Sequence, residues 1–173
     1  MAAVAVVLGL PAAAFAREAV DPQQVDLAKL IECRTYDVPT YNSFGFWLAG
    51  TEEAQARASL GLTEVKSANF MLMEYDLARP ITVFGRQTRR VAFTSSGPMA
   101  VLDEADPHPL AKALGVIPVV DAPGKFLGEV VVSETSETSE GSTLKTRVSL
   151  NVSTVTTHPG KTLAGCSYTL EIQ

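Results

Sequence analysis

Apolar and polar positions alternate most cleanly at the end of the chain. Cys166, Tyr168, Leu170 and Ile172 are interleaved with Ser167, Thr169 and Glu171, the two-residue period of a strand with one buried face. Residues 27–36 read the same way, with Ile31, Cys33 and Thr35 on one side and Leu30, Glu32 and Arg34 on the other. They predict a first strand that lies near the last one, with Cys33 placed to meet Cys166. Further strands are predicted over 70–77, 81–84, 90–94, 99–102, 126–133 and 145–155. In the first of these, Met71, Met73 and Tyr75 alternate with Phe70, Leu72 and Glu74. A strand apolar on both faces is expected at the centre of a sheet.

Two segments carry helix punctuation. Thr51 caps a predicted helix whose first turn holds Glu52 and Glu53, acids that suit the positive end of the helix dipole. It runs through Ala54, Ala56 and Ala58 to Leu60, and Gly61 supplies the left-handed residue that ends it. The preceding aromatic stretch, 41–49, is either an earlier turn of this helix or a short helix of its own. The second helix has Asp106 as its cap, Pro107 at its first helical position, Leu110, Ala113 and Leu114 on its apolar face, and Gly115 at its end. Pro123-Gly124 and Pro159-Gly160 each suit a type II turn. The pattern predicts an α+β fold, an antiparallel sheet of about six to seven strands with two helices packed on it.

The elements repeat faintly. Leu60-Gly61-Leu62 is matched by Leu114-Gly115-Val116, and each is followed by a strand opening on Phe70 or Phe126 and another around Arg90 or Arg147. This is the pattern of a duplicated helix-plus-meander unit, neither half able to bury its sheet face alone. The arrangement loosely resembles the tandem helix-plus-sheet inhibitor proteins of the β-lactamase-inhibitor type. No diagnostic motif accompanies the likeness, so it implies no membership and assigns no residue a role.

Composition changes the picture at the N-terminus. The first sixteen of the 173 residues carry no charge, and Ala14-Phe15-Ala16 fits a signal-peptidase site. The run is shorter than the roughly 20 residues that span a bilayer. It predicts a secretory signal over 1–16, a linker over 17–26, and one domain from 27 to 173 that is not membrane-spanning. Cys33 and Cys166 are the only two cysteines. In an oxidising compartment they predict a disulfide closing a loop of roughly 130 residues. The expected location is periplasmic or extracellular. The net charge of −5 disfavours nucleic acid, whose phosphates require a basic face.

The candidate chemistry is sparse. His158-Pro159-Gly160-Lys161-Thr162 ends like a phosphate-binding loop, but Val155 stands where the first glycine belongs; the segment reads as a turn. Asp103, Asp106 and His108 are weak metal-ligand candidates, set with Glu104 just before a helix where acids serve as caps. Ser95-Ser96-Gly97 lacks a nucleophile elbow and reads as a turn. Ser133 to Thr143 is polar and repetitive, the composition of a solvated hairpin tip. Tyr41, Phe44 and Trp47 are candidate contact residues, since exposed aromatics dominate interfaces, with core packing as their alternative. No cofactor is implied. The expectation is an exported, non-catalytic binding protein whose partner is another protein or envelope component, an inhibitor of a hydrolase or toxin being one form. A small envelope hydrolase using carboxylates and a small-ligand carrier are the other two classes.

Overall fold

A computed structural model describes residues 20–50, 53–139 and 141–173. The predicted signal and the Thr51 cap with Glu52 lie outside them. Among the described residues no helix is long and apolar enough to cross a membrane.

The chain enters through a 3-10 turn, Pro22–Gln24, and α1, Leu27–Ile31. The Asp26 carboxylate accepts from the Ala28 and Lys29 amides, while Leu27, Leu30 and Ile31 are buried. That spacing is helical, not alternating, and it overturns the strand expected over 27–36. Cys33 and Thr35 then take positive φ, +56° and +79°, which no strand could accommodate. Val25 is 4% exposed, so the packed body already includes part of the segment expected as a linker.

Helix α2, Val38–Leu48, is separate from α3, Glu53–Ser59. Asp37 caps it by accepting from the Thr40 amide. Val38, Tyr41, Phe44 and Leu48 form its buried stripe. Four antiparallel strands follow: β1, Leu62–Val65; β2, Met73–Val83; β3, Arg86–Phe93; and β4, Pro98–Leu102. After α4, His108–Ala113, come β5, Ile117–Ala122; β6, Lys125–Ser139; β7, Ser142–Ser153; and β8, Thr162–Ile172. The fold is α+β, with all eight strands of the described residues in one sheet, order β1-β2-β3-β4-β8-β7-β6-β5.

Each half of this order is a consecutive meander, and the halves meet where β4 pairs with β8, Met99 opposite Gly165. A Cβ on Gly165 would lie 2.1 Å from the Pro98 carbonyl oxygen, and one on Gly97 would lie 1.8 Å from that of Cys166. Only glycine permits the seam to close. Gly61 and Gly115 take nearly the same left-handed φ, +66° and +68°, one following the helix that precedes each meander.

One sheet face packs on α1 and α2 through Tyr75, Val91, Phe93, Leu102, Val148, Val152 and Tyr168. The other face is covered only in part. Ala92, Val101 and Leu163 are sealed there by Leu72, Met99 and Val155. The buried central strand expected over 70–77 is corrected accordingly: β2 begins at Met73, and Phe70 and Met71 lie in the preceding turn, 98% and 67% exposed. The alternation that ends the chain is real, but only Cys166 and Tyr168 are buried, while Leu170 and Ile172 are exposed. The polar repeat is the exposed end of the β6–β7 hairpin, as expected, and stays paired as far as Ser139 opposite Ser142.

Candidate functional site

Three places were indicated by sequence. The first is the aromatic cluster. Tyr41 and Phe44 are buried, so as contact residues they are withdrawn from solvent: Tyr41 stacks on Tyr168 at 4.9 Å and Phe44 packs against Phe93 at 6.1 Å. Burial pushes the Tyr41 hydroxyl up to about 12. Trp47 is half-buried beside Phe44, and the helix shows solvent Phe46 instead, 81% exposed.

The second is the acidic cluster before α4, which the structure divides. Asp103 pairs with Lys161. Asp106 accepts from the His108 amide at 3.0 Å, which keeps its expected capping role although Pro107 occupies the formal cap position. His108 holds Asp106 on Nδ1 at 2.6 Å and Asp121 on Nε2 at 3.1 Å. These hydrogen bonds, Asp106 first and then Asp121, raise the imidazole above its ordinary value. Carboxylates on opposite ring nitrogens cannot converge on one ion, and no metal-holding group of three occurs among the described residues. His108 borders a cleft of about 480 Å³ whose far wall includes Thr154, His158 and Lys161.

The third is the segment expected as a turn over 158–162; the connection runs from 154, where the strand expected to reach 155 has already ended, to Lys161, with Gly160 at φ +72°. It folds over the partly covered sheet face and inserts His158. The ring is 9% exposed and its Nε2 lies 3.1 Å from Oε2 of Glu74, itself 3% exposed. Ser67 donates to the other carboxylate oxygen, and the Thr157 hydroxyl lies 3.1 Å from His158 Nδ1. Nε2 donates to the carboxylate, and in the neutral imidazole this leaves Nδ1 to accept from Thr157. Burial pushes the Glu74 carboxyl up, but Ser67, His158 and Arg90 together bring it below the usual carboxylate range. A second cleft of about 540 Å³ adjoins this network, and its walls include the paired Arg90–Asp76 and Lys161–Asp103.

Sequence reasoning missed this network because His158 is far from Ser67 and Glu74 in the chain and no motif spacing links the three. Its removal has a predictable cost. His158→Ala leaves the Glu74 carboxylate with one fewer charge-assisted bond and lowers stability by about 1–3 kcal/mol at neutral pH. Because the folded Glu74 carboxyl sits below its unfolded value, its contribution is complete above the ordinary glutamate range and disappears as pH falls through the folded value. Urea unfolding of wild type and variant, compared at neutral and acid pH, checks both the gap and its closure.

A fourth feature emerges only in three dimensions. Most exposed large apolar side chains belong to β5–β8: Ile117, Val119, Leu127, Val131, Val132, Leu144, Leu170 and Ile172. The register places Ile117, Leu127 and Val131 on the sheet face opposite the helices, where Glu129 and Arg147 also pair at 2.5 Å. Leu144 and Ile172 are directly opposite each other on the helix side, with Leu170 beside them, beyond the reach of α2. The signal that could have found the last group is an apolar alternation continuing past Tyr168 with no predicted element to cover it.

Comparison with known proteins finds no matching family model, no similar curated protein and no matching solved structure.

Proposed function

We propose that this chain is an exported binding protein that acts by contact with another macromolecule, through the β5–β8 half of its sheet. The observation that carries this is the concentration of uncovered apolar side chains there, which outnumber those exposed elsewhere among the described residues, Phe46, Phe70 and Met71 included. Export is supported by the uncharged leader and by Cys33 and Cys166 at disulfide distance, 2.13 Å. The helix-plus-meander organisation of both halves supports reading the sheet as a duplicated unit. Both copies contribute to the core, and the second also carries most of the uncovered apolar surface. Inhibition of a hydrolase or toxin is the form of contact most consistent with a small bridged domain.

The test is affinity capture from the native envelope with the protein and with a Leu144→Ser, Leu170→Ser, Ile172→Ser variant. These side chains are 39%, 47% and 74% exposed, so the variant folds. The expected result is a captured species that the variant fails to retain. Equal capture by both would remove this surface from consideration.

One observation favours a hydrolase as a second reading. Thr157, His158 and Glu74 stand in the order hydroxyl, base, carboxylate that activates a nucleophile. Turnover of ester substrates that Thr157→Val abolishes in a folded protein would establish it in place of the binding role.

A further inference from the structure

We propose that the open edge of β8 takes up an extended strand of a partner protein, one that presents a basic residue beside Glu171 and apolar residues beside Leu170 and Ile172. The proposal rests on the contact role of the β5–β8 half and specifies how that contact is made.

Backbone geometry leads the argument. Thr143 and Gln173 exchange both of their N–H···O bonds, at 2.8 and 2.9 Å. Bonded and non-bonded pairs alternate along an antiparallel ladder. Glu171 opposite Lys145 is therefore a bonded pair, and Leu170 and Ile172 turn their N–H and C=O groups away from β7. Tyr168 has the same outward orientation, and its N–H donates to the Ser96 carbonyl at 2.7 Å. Beyond Tyr168 no described residue pairs with this edge. Natural sheets guard such edges with lysine, proline or bulges; here only Glu171 interrupts two exposed apolar residues.

Charge decides the occupant. A second copy of this chain could pair edge to edge about a two-fold axis. The register in which each Leu170 meets the other copy's Ile172 sets Glu171 directly opposite itself, and like charges so placed destabilise a sheet. Centring the pair on Leu170 instead brings Ile172 against Tyr168, where Ser96 already occupies the edge. A foreign strand with lysine or arginine opposite Glu171 meets neither obstacle. Lys145, the neighbour of Glu171 across the ladder, reaches Glu134 at 3.3 Å, which leaves Glu171 available to an incoming cation.

The experiment uses the full chain and two blocked peptides, Thr-Val-Lys-Val-Lys-Val-Thr and the same sequence with glutamate for lysine. Amide exchange and chemical shifts are followed by NMR. The lysine peptide is expected to bind at least tenfold more tightly and to protect the Leu170 and Ile172 amides. Glu171→Lys should reverse the preference. Leu170→Pro removes an N–H that β7 does not use, so the fold should persist while peptide binding is lost. Failure of both peptides to protect these amides overturns the proposal, as does undiminished binding by Leu170→Pro. Protection that rises with protein concentration in the absence of peptide also overturns it, since a second copy would then occupy the edge. If the peptide results fail while the triple serine variant still loses its captured partner, strand addition falls and the contact role stands.

Discussion

Removing the covalent link between Cys33 and Cys166 is expected to lower the unfolding free energy by roughly 2–5 kcal/mol. The bond joins residues 133 apart in sequence, so the loop it closes takes up most of the domain. Chain-entropy reasoning places loops of this length near the top of that range, at about 5 kcal/mol. The link also has a local task. It ties the turn after α1, where Cys33 holds φ +56°, to β8 beneath α2. Cys33 and Cys166 are 8% and 2% exposed, so alanine at both positions is the suitable replacement and leaves no buried hydroxyl. Denaturant unfolding of the double alanine variant, and of the native protein with and without reductant, should show the same downward shift of the midpoint. Unchanged midpoints would mean that helix packing alone fixes α1 and α2 on the sheet.

Truncation of Phe44 should be equally damaging, and truncation of Phe46 should not. Phe44 is fully buried, 6.1 Å from the Phe93 ring and 5.9 Å from that of Trp47. Replacing such a phenylalanine with alanine removes its transfer free energy and leaves a cavity, for a cost of about 3–5 kcal/mol. Phe46, two residues on, is 81% exposed, and its replacement should fall within about 0.5 kcal/mol of wild type. Thermal or urea unfolding of the two single variants makes the comparison. A small effect at Phe44 would place α2 off the sheet. A large one confirms that the aromatic cluster is core, and that contact must be sought elsewhere on the molecule.

Both results bear on why the contact surface was hard to read. Aromatic residues near polar neighbours look like an interface, yet the Asp37 cap and the spacing of Val38, Tyr41, Phe44 and Leu48 turn these four of the six apolar positions in α2 inward. The alternation of Cys166, Tyr168, Leu170 and Ile172 looks uniformly buried, yet α2 covers only its first half.

Local sequence determined the features that depend on nearest neighbours. The β8 alternation, the glycines ending each pre-meander helix, the turns at Gly124 and Gly160 and the acidic cap of α4 all follow from backbone preferences within a few residues. The α+β class was legible for the same reason, whereas the pairing of the two cysteines followed from their number, since two cysteines allow one intramolecular bond. Residues 27–36 were misread because a five-residue helix offers little more than one period, too short to distinguish i, i+3, i+4 from alternation. What only tertiary structure decided is the assembly of distant parts. Two meanders join at β4 and β8 because Gly97 and Gly165 permit their backbones to approach. Ser67, Glu74 and His158 meet because the 154–161 turn folds across the sheet. The edge of β8 is open because β4 and its turn end at Tyr168. Each of these depends on contacts between residues far apart in the chain, and no local pattern records such contacts.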